Sequence, residues 1–582
     1  MLRHCLIYLS AALLTHGWLS SESPALVDPP SIPAREARLR RPIRLSLTDD
    51  GDTLLAANRD GGSISIIDTH KLALIGELRV GGKISDMVAS GDLVLATTPG
   101  QLVVSKYQRH SLRELRRVKI GLYPMSVQVS PDGGVATVAD LWSRRLAIID
   151  LARGAGTTVD LPFAPRGQLF IPAAGKVIVA DAFSGKLAVV NVAARKLESV
   201  RDLGGHNIRG LARDRSGKSL WLSHQRLNRF GHTVAGEIQN SNVLINHVRK
   251  LPLASLLDPL ADATRDDQFY MVGDIERGAG DPADVAEIHD DQLLVALAGT
   301  NEVMIGRPEK VIWARLPVGQ RPVALAVDRK RQRAYVANTF ADSVSVLDLK
   351  RSRVLGEIAL GTMPAHLTPA ERGEALFHDA RLSHLAWFSC QSCHPDGHSN
   401  GRLNDNFSDG SFGTPKRVLS LLGVKDTGPW AWNGGMPDLE TQVRSSLTTT
   451  MRGPKPSAEA VRDLTAFLQT LPPPPSLAKA RGTIDAEALK RGRKVFAREK
   501  CATCHTPATY TSAKSFDVGL KDENGQSHFN PPSLRGISQA GPYFHDGRAR
   551  DLEEVFTRFR HQLRGALAGE ELADLLHFLN SL

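Results

Sequence analysis

Cysteine is scarce, with five in 582 residues. Cys5 lies in an apolar leader and the other four form two Cys-x-x-Cys pairs, so no disulfide framework remains. A chain this long can rely on apolar cores instead. Aromatic residues make up only 5%. No apolar run reaches the ~20 residues that a membrane-spanning helix needs. Residues 1–25 instead have the make-up of an export signal: Arg3 and His4, the mostly apolar run Cys5–Leu14, then small and polar residues from Ser20 to Ala25. The expectation is an exported, periplasmic protein without a stable membrane span. A nucleic-acid-binding module or a basic patch interleaved with aromatics is also missing. The net charge of +10 therefore reads as a solvated basic surface, or one that steers an acidic protein partner.

What is abundant is turn chemistry, with 50 Gly and 33 Pro against 42% hydrophobic residues. The first ~360 residues repeat a pair of short apolar strands flanked by turns. Asp52–Asn58 with Ser63–Asp68 is one copy, Gly134–Asp140 with Arg145–Asp150 another, and Arg333–Asn338 with Ser343–Asp348 the last. Apolar and polar residues alternate in each, and Asp or Asn closes each strand. Roughly seven units with a period of about 40–50 residues predict a β-propeller over 36–365, because a lone blade cannot bury both faces. Tyr335-Val336-Ala337-Asn338 resembles the repeat of YVTN-type propellers. The stretch from about His224 to Asp284 breaks the period. It reads as a polar insertion carrying His224, His232 and His247, which are solvated, core-satisfied or metal-binding.

Near Thr368 the pattern becomes helical, with Thr368 as N-cap, Pro369 at the first position and Glu371 completing a capping box. Helices are predicted over 458–471, 485–496 and 570–582. The run Pro472–Pro475 divides a first haem-type half, 366–475, from a second, 476–582. The fold class is thus an all-β propeller followed by an all-α cytochrome c-like domain.

Each half contains Cys-x-x-Cys-His: Cys390, Cys393 and His394, then Cys501, Cys504 and His505. Two thiols at this spacing reach the two vinyl groups along one edge of a haem, and the following His becomes an axial ligand. A zinc or redox Cys-x-x-Cys is the rival reading. It is disfavoured by the duplication and by the missing thioredoxin-like βαβ pattern.

Further motifs surround these. Gly373 to Ser383 precedes the first motif, Trp432-Asn433-Gly434 leads to Asp438–Gln442, and Asn530–Gly536 leads to Pro542–Arg548 and Leu552–Glu554. Together they resemble the bacterial di-haem cytochrome c peroxidase and MauG family over about the last 215 residues. The resemblance implies a peroxide-reactive haem at His394 and an electron-relaying haem at His505. Trp432 falls where the family has a tryptophan between the haems, as relay or as packing. Gln442 and Met451 fall near the distal pocket of the first haem, and His545 near the second haem. Some family members bind calcium between the halves. Asn404, Asp405 and Asn406 offer hard oxygen ligands, but not at the spacing of a known calcium loop.

Departures from the family are informative. Its peroxidases carry a Glu beside the residue matching Met451, and here that neighbour is Thr450, which cannot shuttle a proton. Asp409 and Gly410 occupy the region of a distal His, and His398 follows His394 too closely to reach over the haem. The Met expected on the second haem is Phe559. His561, two residues on, either replaces it or is a surface helix residue. The leading expectation is a haem-dependent oxidoreductase of the peroxidase/MauG kind. Its propeller would dock a small cytochrome, a cupredoxin or an oxidisable protein, with hydrogen peroxide as a candidate oxidant. The rivals are an electron-transfer protein with both haems six-coordinate, and a sensor or structural propeller with vestigial haems.

Overall fold

The computed structural model describes residues 37–582, apart from 109, 290, 311 and 312; the leader lies outside the described residues. Residues 42–359 form seven four-stranded antiparallel blades. Blade 1 runs Pro42–Leu47, Thr53–Asn58, Ser63–Asp68 and Ala73–Arg79, and blade 7 ends with Arg353–Ala359. The first strand of each blade packs against that of the next. Blade 7 returns to Pro42–Leu47, so the ring closes. Leu45, Leu54 and Ile67 of blade 1 share one core with Tyr335, Val344 and Val346 of blade 7.

The Asn that ends the repeat strand has a structural task. Asn58 Nδ2 donates to Ser63 Oγ and Ser65 Oγ at 3.1 and 2.9 Å. Asn338 repeats this with Ser343 and Ser345 at 3.0 and 2.8 Å. The buried amide nitrogen is thereby paired with hydroxyls of the same motif.

Blades 4 and 5 share the 18-residue strand Lys196–Arg213, which pairs with Ser184–Asn191 on one side and Ser219–Leu227 on the other. Its register slips between His206 and Gly210. This changes the reading of the insertion. His224 and His247 do not lie in a polar loop but face each other across two buried strands of blade 5, with ring centroids 3.9 Å apart. The inserted segment proper lies between these strands and after them. Its Ile238, Val243 and Leu244 join the core of the first helical half with Phe377, Trp387 and Met451.

The helical region is an internal pseudo-repeat. In the first half helix Pro369–Phe377 crosses Ala458–Thr470, and in the second Ala486–Arg498 crosses Gly569–Leu579. Arg372 grips Asp463 with two bonds of 2.7 Å, and Arg491 grips Asp574 at 2.7 and 2.8 Å. Each crossing needs a glycine. A Cβ on Gly373 would stand 1.9 Å from the Asp463 carbonyl oxygen, and one on Gly492 2.0 Å from that of Asp574. The proline run is packed into the seam between halves, with Pro473 against Gly423 and Pro474 against Gly536. No helix among the described residues is long and apolar enough to cross a membrane.

Candidate functional site

A cavity of about 320 Å³ opens inside the first helical half, lined by Cys390, Cys393 and His394. The motif is a single helical turn, Cys390–Cys393, preceded by Ser389 in a reciprocal cap with Ser392. His394 N–H closes the turn on the Cys390 carbonyl at 2.9 Å. One turn thus sets both sulfurs and the imidazole on the cavity wall. Burial pushes the His394 imidazole down to about 4. It is neutral at pH 7, the state in which imidazole binds a metal. A three-donor set on an apolar cavity suits a covalently held haem.

The opposite wall comes from helix Leu439–Ser445 and the π-helical turn Ser446–Thr450 that extends it. Gln442, Thr450 and Met451 all line the cavity. Gln442 Nε2 donates to Ser446 Oγ at 3.1 Å. Of the cavity-lining residues the sole carboxylate is Asp409, and it is ion-paired with Lys416, which also holds Asp522 at 3.0 Å. His398 also lines the cavity, but both its ring nitrogens are engaged. One ring nitrogen contacts Ser420 Oγ at 2.8 Å and the other donates to the Gln539 carbonyl at 2.9 Å. Asn404 and Asp405 are engaged within the protein. Asn406 Nδ2 donates to Asn404 Oδ1 at 3.0 Å, and Gly413 N–H donates to Asp405 Oδ2 at 2.8 Å. Among the described residues no group of three or more His, Cys, Asp or Glu is arranged to hold a metal ion.

Trp432 sits on the cavity wall at the seam between halves. Its indole N–H donates to the Arg417 carbonyl at 2.8 Å, and its own carbonyl accepts from Asn530 N–H at 2.8 Å. His545, stacked on Phe529 at 4.3 Å, meets the indole edge-on at 6.4 Å.

The second motif forms a 3₁₀ turn, Cys501–Thr503. His505 Nδ1 donates to the Tyr510 carbonyl at 3.1 Å, which fixes the ring and leaves Nε2 for an axial bond. His561 is not a surface helix residue. It follows helix Leu552–Thr557 in a turn whose Arg560 and Gln562 both have left-handed backbone, with φ of 47° and 53°. That turn brings the imidazole 5.4 Å from the Phe544 ring, on which Phe559 also packs. Burial, and after it His505, pushes the His561 imidazole down to about 4.

The propeller supplies residues that motif reading did not reach. Arg166 and Arg209 clamp Asp396, two residues past His394. Against burial, these guanidinium groups hold Asp396 down to about 2. Asp281 accepts from Ser389 Oγ–H, and from Ser392 Oγ–H at 2.5 Å. The only sequence signal is positional. Asp281, like Arg41 and Arg321, precedes the proline that opens a blade, and all three have left-handed φ.

Residues 369–471 match the family model for the di-haem cytochrome c peroxidases. The chain is 28% identical over 284 residues to the methylamine utilization protein MauG of Methylorubrum extorquens, covering 37% of this chain and 79% of that protein. It is 27% identical over 271 residues to hydrazine synthase subunit gamma of Kuenenia stuttgartiensis, covering 36% and 76%. It is 27% identical over 275 residues to cytochrome c551 peroxidase of Nitrosomonas europaea, covering 38% and 81%. A solved structure of Kuenenia stuttgartiensis hydrazine synthase aligns with a TM-score of 0.47 at 19% identity, over 54% of this chain and 98% of that one.

Proposed function

We propose, from a C-terminal domain of the di-haem cytochrome c peroxidase family, that this chain is an exported di-haem oxidoreductase of the peroxidase/MauG kind. Haem iron supplies one-electron chemistry and, where an axial position is open, a place for a small oxidant. Cys390 and Cys393 would hold the first group with His394 as axial ligand; Cys501 and Cys504 would hold the second with His505. The observation that carries the reading is one cavity walled by His394, Trp432, Gln442 and Met451, with His505 and His561 both half-buried in the second half.

The residues divide the labour. His561 would be the second axial ligand of the second haem and keep it a relay. Trp432, at the seam, would stand on the electron route between the two sites. Gln442 and Ser446 would orient a small molecule on the distal side of the first. No free carboxylate lines that side, because Thr450 replaces an acid and Asp409 is committed to Lys416. General acid–base help of the usual 10²–10⁴-fold is therefore lacking. This weights the reading toward oxidation of a partner over rapid disposal of peroxide.

The approach of that partner follows from exposure. Gln391 and Ser392 of the first motif are buried beneath the propeller, whereas Thr503 and Thr506–Ala508 of the second are exposed. A small redox protein would therefore dock at the second motif, since the propeller surface facing the haem domain is occupied. Peroxide added to the oxidised holoprotein, followed by a reduced small cytochrome or cupredoxin, should oxidise that protein in proportion to peroxide. Unchanged haem spectra and no oxidation of the added protein would refute the reading.

A second reading has Met451 in its favour. It is 4% exposed, lines the same cavity as His394 and carries a thioether. Ligation by Met451 would close the first iron and leave an electron-transfer protein.

A further inference from the structure

The polar residues on the haem-facing side of the propeller converge on the first attachment loop. Asp281 is 4% exposed. Its Oδ1 accepts from Ser392 Oγ–H at 2.5 Å and from Gln225 Nε2–H at 3.3 Å, and its Oδ2 accepts from Ser389 Oγ–H. Gln225 Nε2 also reaches Asn246 Oδ1 at 2.7 Å, and Asn246 Nδ2 donates to the Trp387 carbonyl at 2.7 Å. A chain of propeller side chains, Asn246–Gln225–Asp281, therefore grips the loop from Trp387 to Ser392.

Burial pushes the Asp281 carboxyl above the usual carboxylate range, and the Ser389 and Ser392 hydroxyls, with Arg321 and Arg209 beyond them, oppose this and favour its ionised form. A fixed negative charge in a water-poor site stabilises ferric over ferrous iron, because the oxidised centre carries the larger positive charge.

We propose that Asp281 is a positioning residue, supplied by the propeller, that fixes the first attachment loop and lowers the reduction potential of the first haem. This rests on the di-haem reading above. It makes the propeller a support that acts on the first redox site from behind the attachment loop, since the cavity itself is lined by residues of the helical region. The propeller positions opposite other blades carry Arg41 and Arg321, so the sign of the charge at this one blade is specific to the sequence.

Spectroelectrochemical titration of the full-length holoprotein tests it. Asp281→Asn should move the midpoint of the first haem upward and leave that of the second unchanged. Ser392→Ala removes a hydrogen bond that partly neutralises the carboxylate, so it should move the first midpoint downward. If Asp281→Asn does not fold, Ser392→Ala decides alone. First-haem midpoints equal to wild type, shifts of the opposite sign, or equal shifts of both haems would each overturn the proposal, since a merely structural Asp281 gives one of these. A chain whose first motif carries no haem would overturn the functional reading as well, and a haem count before titration reveals it.

Discussion

At the scale of single residues, His561 decides what the second site is. Arg560 and Gln562 adopt left-handed backbone on either side of it, a conformation costly for side chains of their size. The turn places His561 among Phe544, Phe559 and His505. If it holds the second haem together with His505, that haem would be low-spin. His561→Phe should convert that haem to high-spin, visible in the oxidised absorption spectrum, without changing the first. An unchanged spectrum would leave His561 a packing residue. This part of the site was half legible in the sequence. The missing Met at Phe559 was readable from the resemblance, and so was a His two residues later. Its direction was not, because it depends on two backbone angles that composition does not specify.

At the scale of elements, the two helical halves are built on one plan. The glycine at each helix crossing and the Arg–Asp grip beside it are repeated. Gly492→Ala would force a methyl group into the Asp574 carbonyl, and overpacking of this kind costs about 1–3 kcal/mol. The urea midpoint should fall, with loss of the second-haem signals before the first. The helices and the Thr368 cap were legible, since capping and apolar periodicity act locally. The repeat strands were legible for the same reason. The insertion was misread because His224 and His247 carry polar side chains yet occupy blade strands, where burial is imposed by neighbours distant in sequence. The residues that most alter the first site, Asp281, Arg166 and Arg209, come from blades that resemble every other blade in sequence.

At the scale of the whole molecule, the propeller and the helical domain share an interface that is apolar around Ile238 and Val243 and polar around the first motif, and the polar part is sensitive to acid. Burial, with Arg402 nearby, pushes His206 down to about 3, and its Nε2 donates to the Ser392 carbonyl at 3.0 Å. Burial also pushes His398 down to about 4, between the propeller rings Trp142 and Phe183 and the Gln539 carbonyl. Both are neutral when folded and would take up protons on unfolding below an ordinary histidine value of about 6.5. The unfolded chain then binds more protons, so stability is intact above about pH 6.5 and falls toward pH 4. Each such histidine contributes a loss of up to about 1.4 kcal/mol per pH unit. Urea midpoints should be lower at pH 5 than at pH 7.5, and His398→Gln should flatten that difference.

The central claim is that the two haems are unequal, the first open and reactive, the second closed by His505 and His561. Low-temperature EPR of the oxidised holoprotein tests it most directly. The account predicts one high-spin and one low-spin ferric signal in equal amounts, with the high-spin signal lost on adding peroxide. Two low-spin signals indifferent to peroxide would contradict it.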